Sequence, residues 1–212
     1  MSKDFQTDQE AFWAGSFGDE YSDRNTGERL IAANSALFAR ILSRCQPVRS
    51  LIEFGSNIGL NLRALSSLLP GAQLDAIEIN AKAAAQLRAW GGANQIFHQS
   101  ILDFRSDTSW DVALIKGVLI HINPEHLPRV YESLHRAARR YIIVVEYYNP
   151  VPVEVPYRGH SGKLFKRDFA GEMLDAYPDL RVVDYGFVWR RDPAYPQDDC
   201  TWFLLEKAAA PR

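Results

Sequence analysis

The run LIEFGSNIGLN, residues 51–61, constrains the fold more than any other stretch of this chain. An apolar segment carries an acid at Glu53, breaks at Gly55 and Gly59, and continues as an amphipathic segment. That order predicts a β-strand turning tightly into a helix, with space for a nucleotide-like ligand against the backbone of Gly55, Ser56, Asn57 and Gly59. The next apolar run, LDAIEIN, ends at Glu78 and Ile79. A carboxylate at that point, about 20 residues on, can grip both hydroxyls of a ribose.

The rest of the chain repeats the same alternation. Leu30, Ile31, Leu37, Phe38, Ile41 and Leu42 fall at helical spacing over residues 27–44. Strands are expected at 50–54, 73–79, 95–98, 111–115 and 141–148, and helices at 60–69, 81–90 and 124–138. Pro124 suits the first turn of its helix, where its missing amide proton has no helical partner. Pro150, Pro152 and Pro156 alternate with valines over 149–158, which excludes helix and predicts an extended excursion. A helix over 166–177 and strands at 180–189 and 201–206 close the chain, with the polar loop RRDPAYPQDD between the strands. Strand–helix alternation ending in a hairpin predicts an α/β fold: a mostly parallel sheet, helices on both faces and an antiparallel end. The 212 residues fit one domain. Its expected parts are a lid and first helix over 1–48, a ligand-binding domain over 49–207 with an excursion at 149–165, and a tail at 208–212.

The turn discriminates between cofactors. A dinucleotide wants Gly-x-Gly-x-x-Gly, because the second glycine lets the backbone approach a pyrophosphate. Here the register is Glu53-x-Gly55-x-Asn57-x-Gly59, and Asn57 would crowd a diphosphate. S-adenosylmethionine has no phosphate, and its ammonium suits an acid such as Glu53. No Gly-x-x-x-x-Gly-Lys-Ser/Thr occurs, which removes a P-loop. Ser100-Ile-Leu-Asp103 follows the third strand, where Asp103 could accept from an adenine amino group and Ile101 or Leu102 could flank the ring. Asp111 opens the fourth strand, and Lys116-Gly117 closes it beside the methionyl end. Taken singly, Glu78 also reads as a solvated strand end and Asp103 as a turn residue.

These residues resemble the class I S-adenosylmethionine-dependent methyltransferases over roughly 51–146. More narrowly, the chain resembles the methylases associated with pseudaminic acid biosynthesis. The phrases that carry this are FWAGSFGDEYSDRN (12–25), KGVLIHINPEHLPRVYESL (116–134), EYYNPVPVEVPYRGH (146–160), KLFKRDFAGEMLDAYPDL (163–180) and PQDDCTWFLLEK (196–207). Asn57 departs from the general methyltransferase pattern, which has glycine there. The resemblance implies a Rossmann-like seven-stranded sheet and S-adenosylmethionine as cofactor, leaving as S-adenosylhomocysteine. It also implies a small-molecule acceptor, an acidic or nucleotide-linked sugar of surface-glycan biosynthesis.

Ligands of open α/β sheets bind at the carboxyl ends of the strands, and three regions are expected to converge there. Tyr21, Arg24 and Asn25 precede the first helix and could fold over the methionyl moiety, Tyr21 facing the sulfonium and Arg24 pairing with the carboxylate. Asn25 and Glu28 alternatively read as a capping box. His121 is a candidate general base, or a loop anchor. Tyr147, Tyr148 and Asn149 end the fifth strand. Arg158, His160, Lys163, Lys166 and Arg167 then form a basic cluster suited to an acceptor carboxylate or phosphate. A solvated helix face with Asp168 paired internally is the plainer reading. The preferred assignment makes His160 the base and has Tyr148 orient the acceptor, with Tyr147, Asn149, Arg158, Lys163 and Lys166 contacting it. Oxygen and nitrogen acceptors both remain open, as does an S-adenosylmethionine-consuming cyclase or lyase. The acid pair Glu53 and Glu78 argues against a non-catalytic partner protein.

A net charge of −2 and the lack of an Asn-Pro-Pro-Tyr-type motif disfavour nucleic acid. No apolar run nears the ~20 residues of a membrane span, and MSKDFQTDQE lacks the pattern of a signal peptide, so a cytoplasmic protein is expected. Cys45 and Cys200 have no metal-ligand spacing and are expected to be buried or bystander thiols, with no metal centre. Oligomeric state is not legible.

Overall fold

A computed structural model describes residues 5–25 and 27–208, so most of the 208–212 tail lies outside the described residues. The chain opens with three helices: α1 (Asp8–Ala14), α2 (Ser16–Arg24) and α3 (Glu28–Leu42). There follow β1 (Ser50–Phe54), α4 (Leu60–Leu68), β2 (Gln73–Glu78), α5 (Ala81–Trp90), β3 (Gln95–His98), β4 (Trp110–Lys116), α6 (Leu127–Ala137) and β5 (Ala138–Glu146). The last part holds β6 (Val153–Glu154), β7 (Phe165–Lys166), α7 (Phe169–Ala176), β8 (Leu180–Val188) and β9 (Cys200–Lys207). Seven strands form one sheet in the order β3-β2-β1-β4-β5-β9-β8. The first five are parallel, and β9 runs antiparallel to both β5 and β8.

Both faces of the central strands are apolar because both are covered. Ile52 and Phe54 join a core with Ile77, Ile115 and the α6 residues Val130 and Leu134. Leu51, next to Ile52 along the strand, points the other way into a core with Phe38, Ile41, Leu62 and Leu87 from α3, α4 and α5. Each such side chain, fully buried, contributes about 1.5–3 kcal/mol. The switch in strand order between β1 and β4 opens a crevice at their carboxyl ends, and the site lies there.

Three local expectations are corrected. The helix expected from Pro124 begins instead at Leu127, after a 3-10 turn over Pro124–His126 that Asn123 caps by accepting from Glu125 N. A single helix would bury Pro128 in its interior, so the helix restarts with Pro128 in its own first turn. Lys166 does not open a helix. It lies on β7, paired with β6, and Asp168 caps α7 by accepting from Gly171 N. Asn25 and Glu28 form no capping box: Asn25 closes α2, its Nδ2 donating 2.9 Å back to Tyr21 O. The capping box of this region is Thr7 with Glu10, at the start of α1. Among the described residues no helix is long and apolar enough to cross a membrane.

Candidate functional site

The turn after β1 is built from three left-handed residues, Gly55 (φ 77), Asn57 (φ 48) and Gly59 (φ 82). A Cβ on Gly55 would stand 2.6 Å from Val118 Cγ2, and one on Gly59 2.4 Å from Leu87 Cδ1, so a side chain at either would displace its neighbour as well as strain a left-handed backbone. Asparagine is among the few other residues that tolerate this region. Asn57 is held there by its N–H, which donates 2.6 Å to Glu78 Oε2, and by its Oδ1, 2.9 Å from the Ser22 hydroxyl of α2. Glu78 Oε1 accepts from Asn80 N at 2.7 Å. Two backbone donors therefore fix the Glu78 carboxylate at the end of β2. Burial raises its pKa, against those hydrogen bonds.

Above these strand ends lies a cavity of about 610 Å³. Its floor holds Gly55, Ser56, Asn57, Glu78, Ile79, Ile101, Leu102 and Lys116. Its cover comes from the N-terminal helices, with Glu10, Trp13, Tyr21, Ser22 and Asn25, and from Tyr147, Tyr157, Arg158, Arg190, Gln197 and Asp198. Burial raises the pKa of the Tyr21 phenol, which keeps it a hydrogen-bond donor. Tyr147 is raised likewise, by burial first and by its contact with the Asp198 carboxylate.

His121 lines the same cavity. Its Nδ1 lies 2.6 Å from Lys163 O, and a carbonyl only accepts, so Nδ1 carries the proton and Nε2 a bare lone pair. Nε2 has no partner among the described residues. Burial pushes the imidazole pKa down to about 4, leaving it neutral at pH 7. The rings of Trp13 and Tyr157 pack 4.6 Å and 4.9 Å from it. The segment leading to His121 is held from β5: Glu146 Oε1 accepts from Val118 N and Leu119 N, each at 2.9 Å. Burial pushes Glu146 up to about 7, and its Oε2 has no partner.

Other expected site residues are placed elsewhere. Glu53 lies wholly buried under the turn, Oε1 accepting from Asn61 Nδ2 at 2.6 Å, and burial pushes its pKa up to about 8. Gly59 faces Leu87 rather than the cavity. Arg24 pairs with Glu20 at 3.3 Å and covers the Phe17 ring. Asp103 points outward, accepting from Gln6 Nε2 at 2.5 Å with Arg129 nearby at 3.8 Å. Asp111 sits at the opposite end of β4, accepting from Arg49 N and Ser50 N. His160 is exposed and packs its ring 5.0 Å from Phe12. Tyr148 is 42% exposed, bridging backbone with Arg167, and Asn149 Nδ2 donates to Val151 O. The basic cluster is dispersed because the β6–β7 excursion hands each side chain a different neighbour. Lys163 Nζ donates to Asp8 O, Lys166 sits over the Tyr147 ring, and Arg167 pairs with Glu172 at 2.6 Å. Arg158 alone of that cluster lines the cavity.

Sequence reasoning missed the cover. Asn80 is a clasp: its Oδ1 accepts from Ala83 N to cap α5, and its Nδ2 donates to Asp19 Oδ1 at 2.8 Å, close to Trp13 O. Gln197 ties the loop before β9 to α3, donating 2.8 Å to Ala33 O. Cys200, expected to be a buried or bystander thiol, is buried and also lines the cavity, its thiol pushed up to about 12 by burial. The Thr7-x-x-Glu10 box was a readable signal for α1. The loop residues Arg190, Gln197 and Asp198 carried none beyond their polarity.

No protein-family model matches this sequence, and no curated protein matches it. Solved structures do match the fold. A Burkholderia thailandensis 1,6-didemethyltoxoflavin N1-methyltransferase, with its substrate and S-adenosylhomocysteine bound, superposes with a TM-score of 0.69 at 15% identity, covering 94% of this chain and 87% of that one. The magnesium protoporphyrin IX methyltransferase of Synechocystis, with S-adenosylmethionine bound, gives 0.66 at 12% identity, covering 97% and 100%. A sugar N-methyltransferase from a Streptoalloteichus species gives 0.62 at 14% identity, covering 92% and 94%. The fold is the Rossmann-like class I methyltransferase fold.

Proposed function

We propose that this protein is an S-adenosylmethionine-dependent methyltransferase acting on a small molecule. The observation that carries the reading is the Glu78 carboxylate, fixed by Asn57 N and Asn80 N on the cavity floor, beside a turn that has Asn57 where a dinucleotide site has glycine. The donor set fits the cofactor: Glu78 for ribose hydroxyls, Ile79, Ile101 and Leu102 for an adenine plane, and Lys116 for a carboxylate at the methionyl end. When bound, S-adenosylmethionine supplies a methyl group on a sulfonium, already activated for attack.

The chain's own residues then have three tasks. Trp13, Tyr21 and Tyr157 exclude water and hold the acceptor in line, which is most of what such a transfer requires. His121 Nε2, unprotonated across the neutral range, takes the proton that the acceptor hydroxyl or amine gives up. Glu146 and Lys163 O orient that imidazole. Arg158 on the cavity wall favours an anionic acceptor, and an acidic or nucleotide-linked sugar of surface-glycan biosynthesis is the finer reading.

Calorimetric titration with S-adenosylmethionine, followed by mass analysis, tests this. Stoichiometric binding with the ligand intact, and S-adenosylhomocysteine appearing once acidic nucleotide sugars are supplied, is the expected result. Release of methylthioadenosine without an acceptor would replace the transferase by a cyclase or lyase. No binding would overturn the reading.

A further inference from the structure

We propose that Glu10, carried in by the first helix, reads the 6-amino group of the cofactor's adenine; the assignment rests on the S-adenosylmethionine reading above. Ile101 and Leu102 form the apolar wall for the ring, and the loop acid that follows them, Asp103, is turned outward to Gln6 and Arg129. Among the described residues three carboxylates line the cavity: Glu10, Glu78 and Asp198. Glu78 stands at the end of β2, and Asp198 meets Tyr147 on the far loop. Glu10 is the one beside Ser100, to which it is hydrogen-bonded.

Its lone pairs can be counted. Glu10 is 7% exposed. Oε2 accepts from Gln6 N at 2.6 Å and Thr7 N at 3.0 Å and is filled. Oε1 accepts from the Ser100 hydroxyl, whose oxygen in turn receives Leu102 N at 3.0 Å. One lone pair of Oε1 is left in the cavity wall, aligned by a serine whose only proton is committed. An exocyclic amine supplies the donor that this lone pair lacks, whereas a 6-oxo purine presents a second acceptor to it. The same carboxylate closes the capping box of α1, so base recognition and the lid's first turn are held by one group.

The test is calorimetric binding of S-adenosylhomocysteine and of its 6-oxo analogue S-inosylhomocysteine to the full chain. The wild type should prefer the adenosyl compound by about 10- to 100-fold, the scale of a hydrogen bond to a charged group. Glu10→Gln should abolish or reverse the preference, because Gln6 N and Thr7 N keep the amide oxygen in the place of Oε2 and turn its NH2, a donor, to the base. Thr7→Ala, which removes the cap but keeps the carboxylate, should leave the ratio unchanged, as should Asp103→Asn. Equal binding of both compounds by the wild type would overturn the assignment even if Glu10→Gln failed to fold. So would a ratio that survives Glu10→Gln or collapses in Asp103→Asn. Failure of the wild type to bind either compound would overturn the cofactor reading and this assignment with it.

Discussion

The floor and the cover of the cavity are made in different ways. The floor comes from short turns at the ends of adjacent parallel strands, and its key contacts are backbone N–H groups donating to Glu78 and glycines in left-handed conformation. The cover comes from segments far apart in sequence: α1 and α2, Tyr147 after β5, the β6–β7 connection with Tyr157 and Arg158, and the loop before β9. α2 and the loop before β9 are attached by single side chains, Asn80, Ser22 and Gln197. A floor fixed by its backbone tolerates little change, whereas a cover of individual side chains can be exchanged piecewise. On the proposed reading the floor carries the ribose and methionyl contacts, α1 of the cover adds Glu10 at the adenine, and the rest of the cover faces the acceptor.

His121 sits on the seam, with its segment held from below by Glu146 and its ring fixed from above by Lys163 O. Its removal gives the largest expected effect. With an acceptor found by S-adenosylhomocysteine release, His121→Ala should slow turnover by about 10²–10⁴-fold while cofactor affinity stays within twofold. Because burial holds the imidazole near 4, the wild-type rate should show no acid limb at 6.5. Turnover within threefold of wild type would move the base to the cover, with Asp198 next in line.

Glu78→Ala breaks the floor alone. S-adenosylmethionine affinity should fall by about 1.5–3 kcal/mol, since the ribose contacts vanish and Asn57 N and Asn80 N lose their acceptor. The acceptor KM, measured at saturating cofactor, should not move. Calorimetry and steady-state kinetics on one preparation separate the two, and a raised acceptor KM would show floor and cover to be coupled.

The cover is probed by a pair. Arg158→Ala should raise the KM of an anionic acceptor about tenfold, the low end of a charged hydrogen bond. Lys166→Ala should leave it unchanged, because that ammonium is spent on the Tyr147 ring. Equal effects would mean that the whole basic cluster acts together, as its spacing in sequence implies.

What the sequence disclosed follows the same division. β1, α4, β2, α5 and β3 were legible nearly to the residue, because strand burial and helix periodicity are local signals and Gly55 and Gly59 mark the turn. The cavity positions of Asn57, Glu78, Ile101, Leu102 and Lys116 follow from strand ends alone. Asp103 and His160 were misplaced since neither the outward turn of a loop residue nor its capture by Gln6 or Phe12 is written locally. Both depend on where α1 docks, and that is set by Asn80 and Gly18, whose Cβ would stand 1.9 Å from Trp13 O. The basic run 158–167 read as one patch because sequence spacing says nothing about which neighbour each side chain will meet.

Glu53 is the smallest effect and the sharpest test of where the floor ends. It was expected to touch the cofactor, yet it lies beneath the turn with Oε2 unpartnered. Its unfolded pKa is about 4.3, and burial pushes the folded value up to about 8. Between those values the folded chain holds a proton that the unfolded chain has released, so this group's contribution is complete below about 4.3 and is lost as pH rises through about 8. His121, depressed to about 4, acts with the opposite sign and only below its unfolded value of about 6.5, leaving the interval from pH 7 to 9 clear of it. Glu53→Gln keeps an acceptor for Asn61 but does not titrate. Thermal unfolding should therefore show the variant gaining at least about 1 kcal/mol on the wild type between pH 7 and pH 9, a few degrees in Tm for a chain of this size. The difference between the two proteins isolates Glu53 from Glu78 and Glu146, which are raised in the same direction. Its affinity for S-adenosylmethionine should match the wild type. A loss of affinity would bring the carboxylate up into the floor, and parallel pH slopes would mean that Glu53 is already ionised in its buried place.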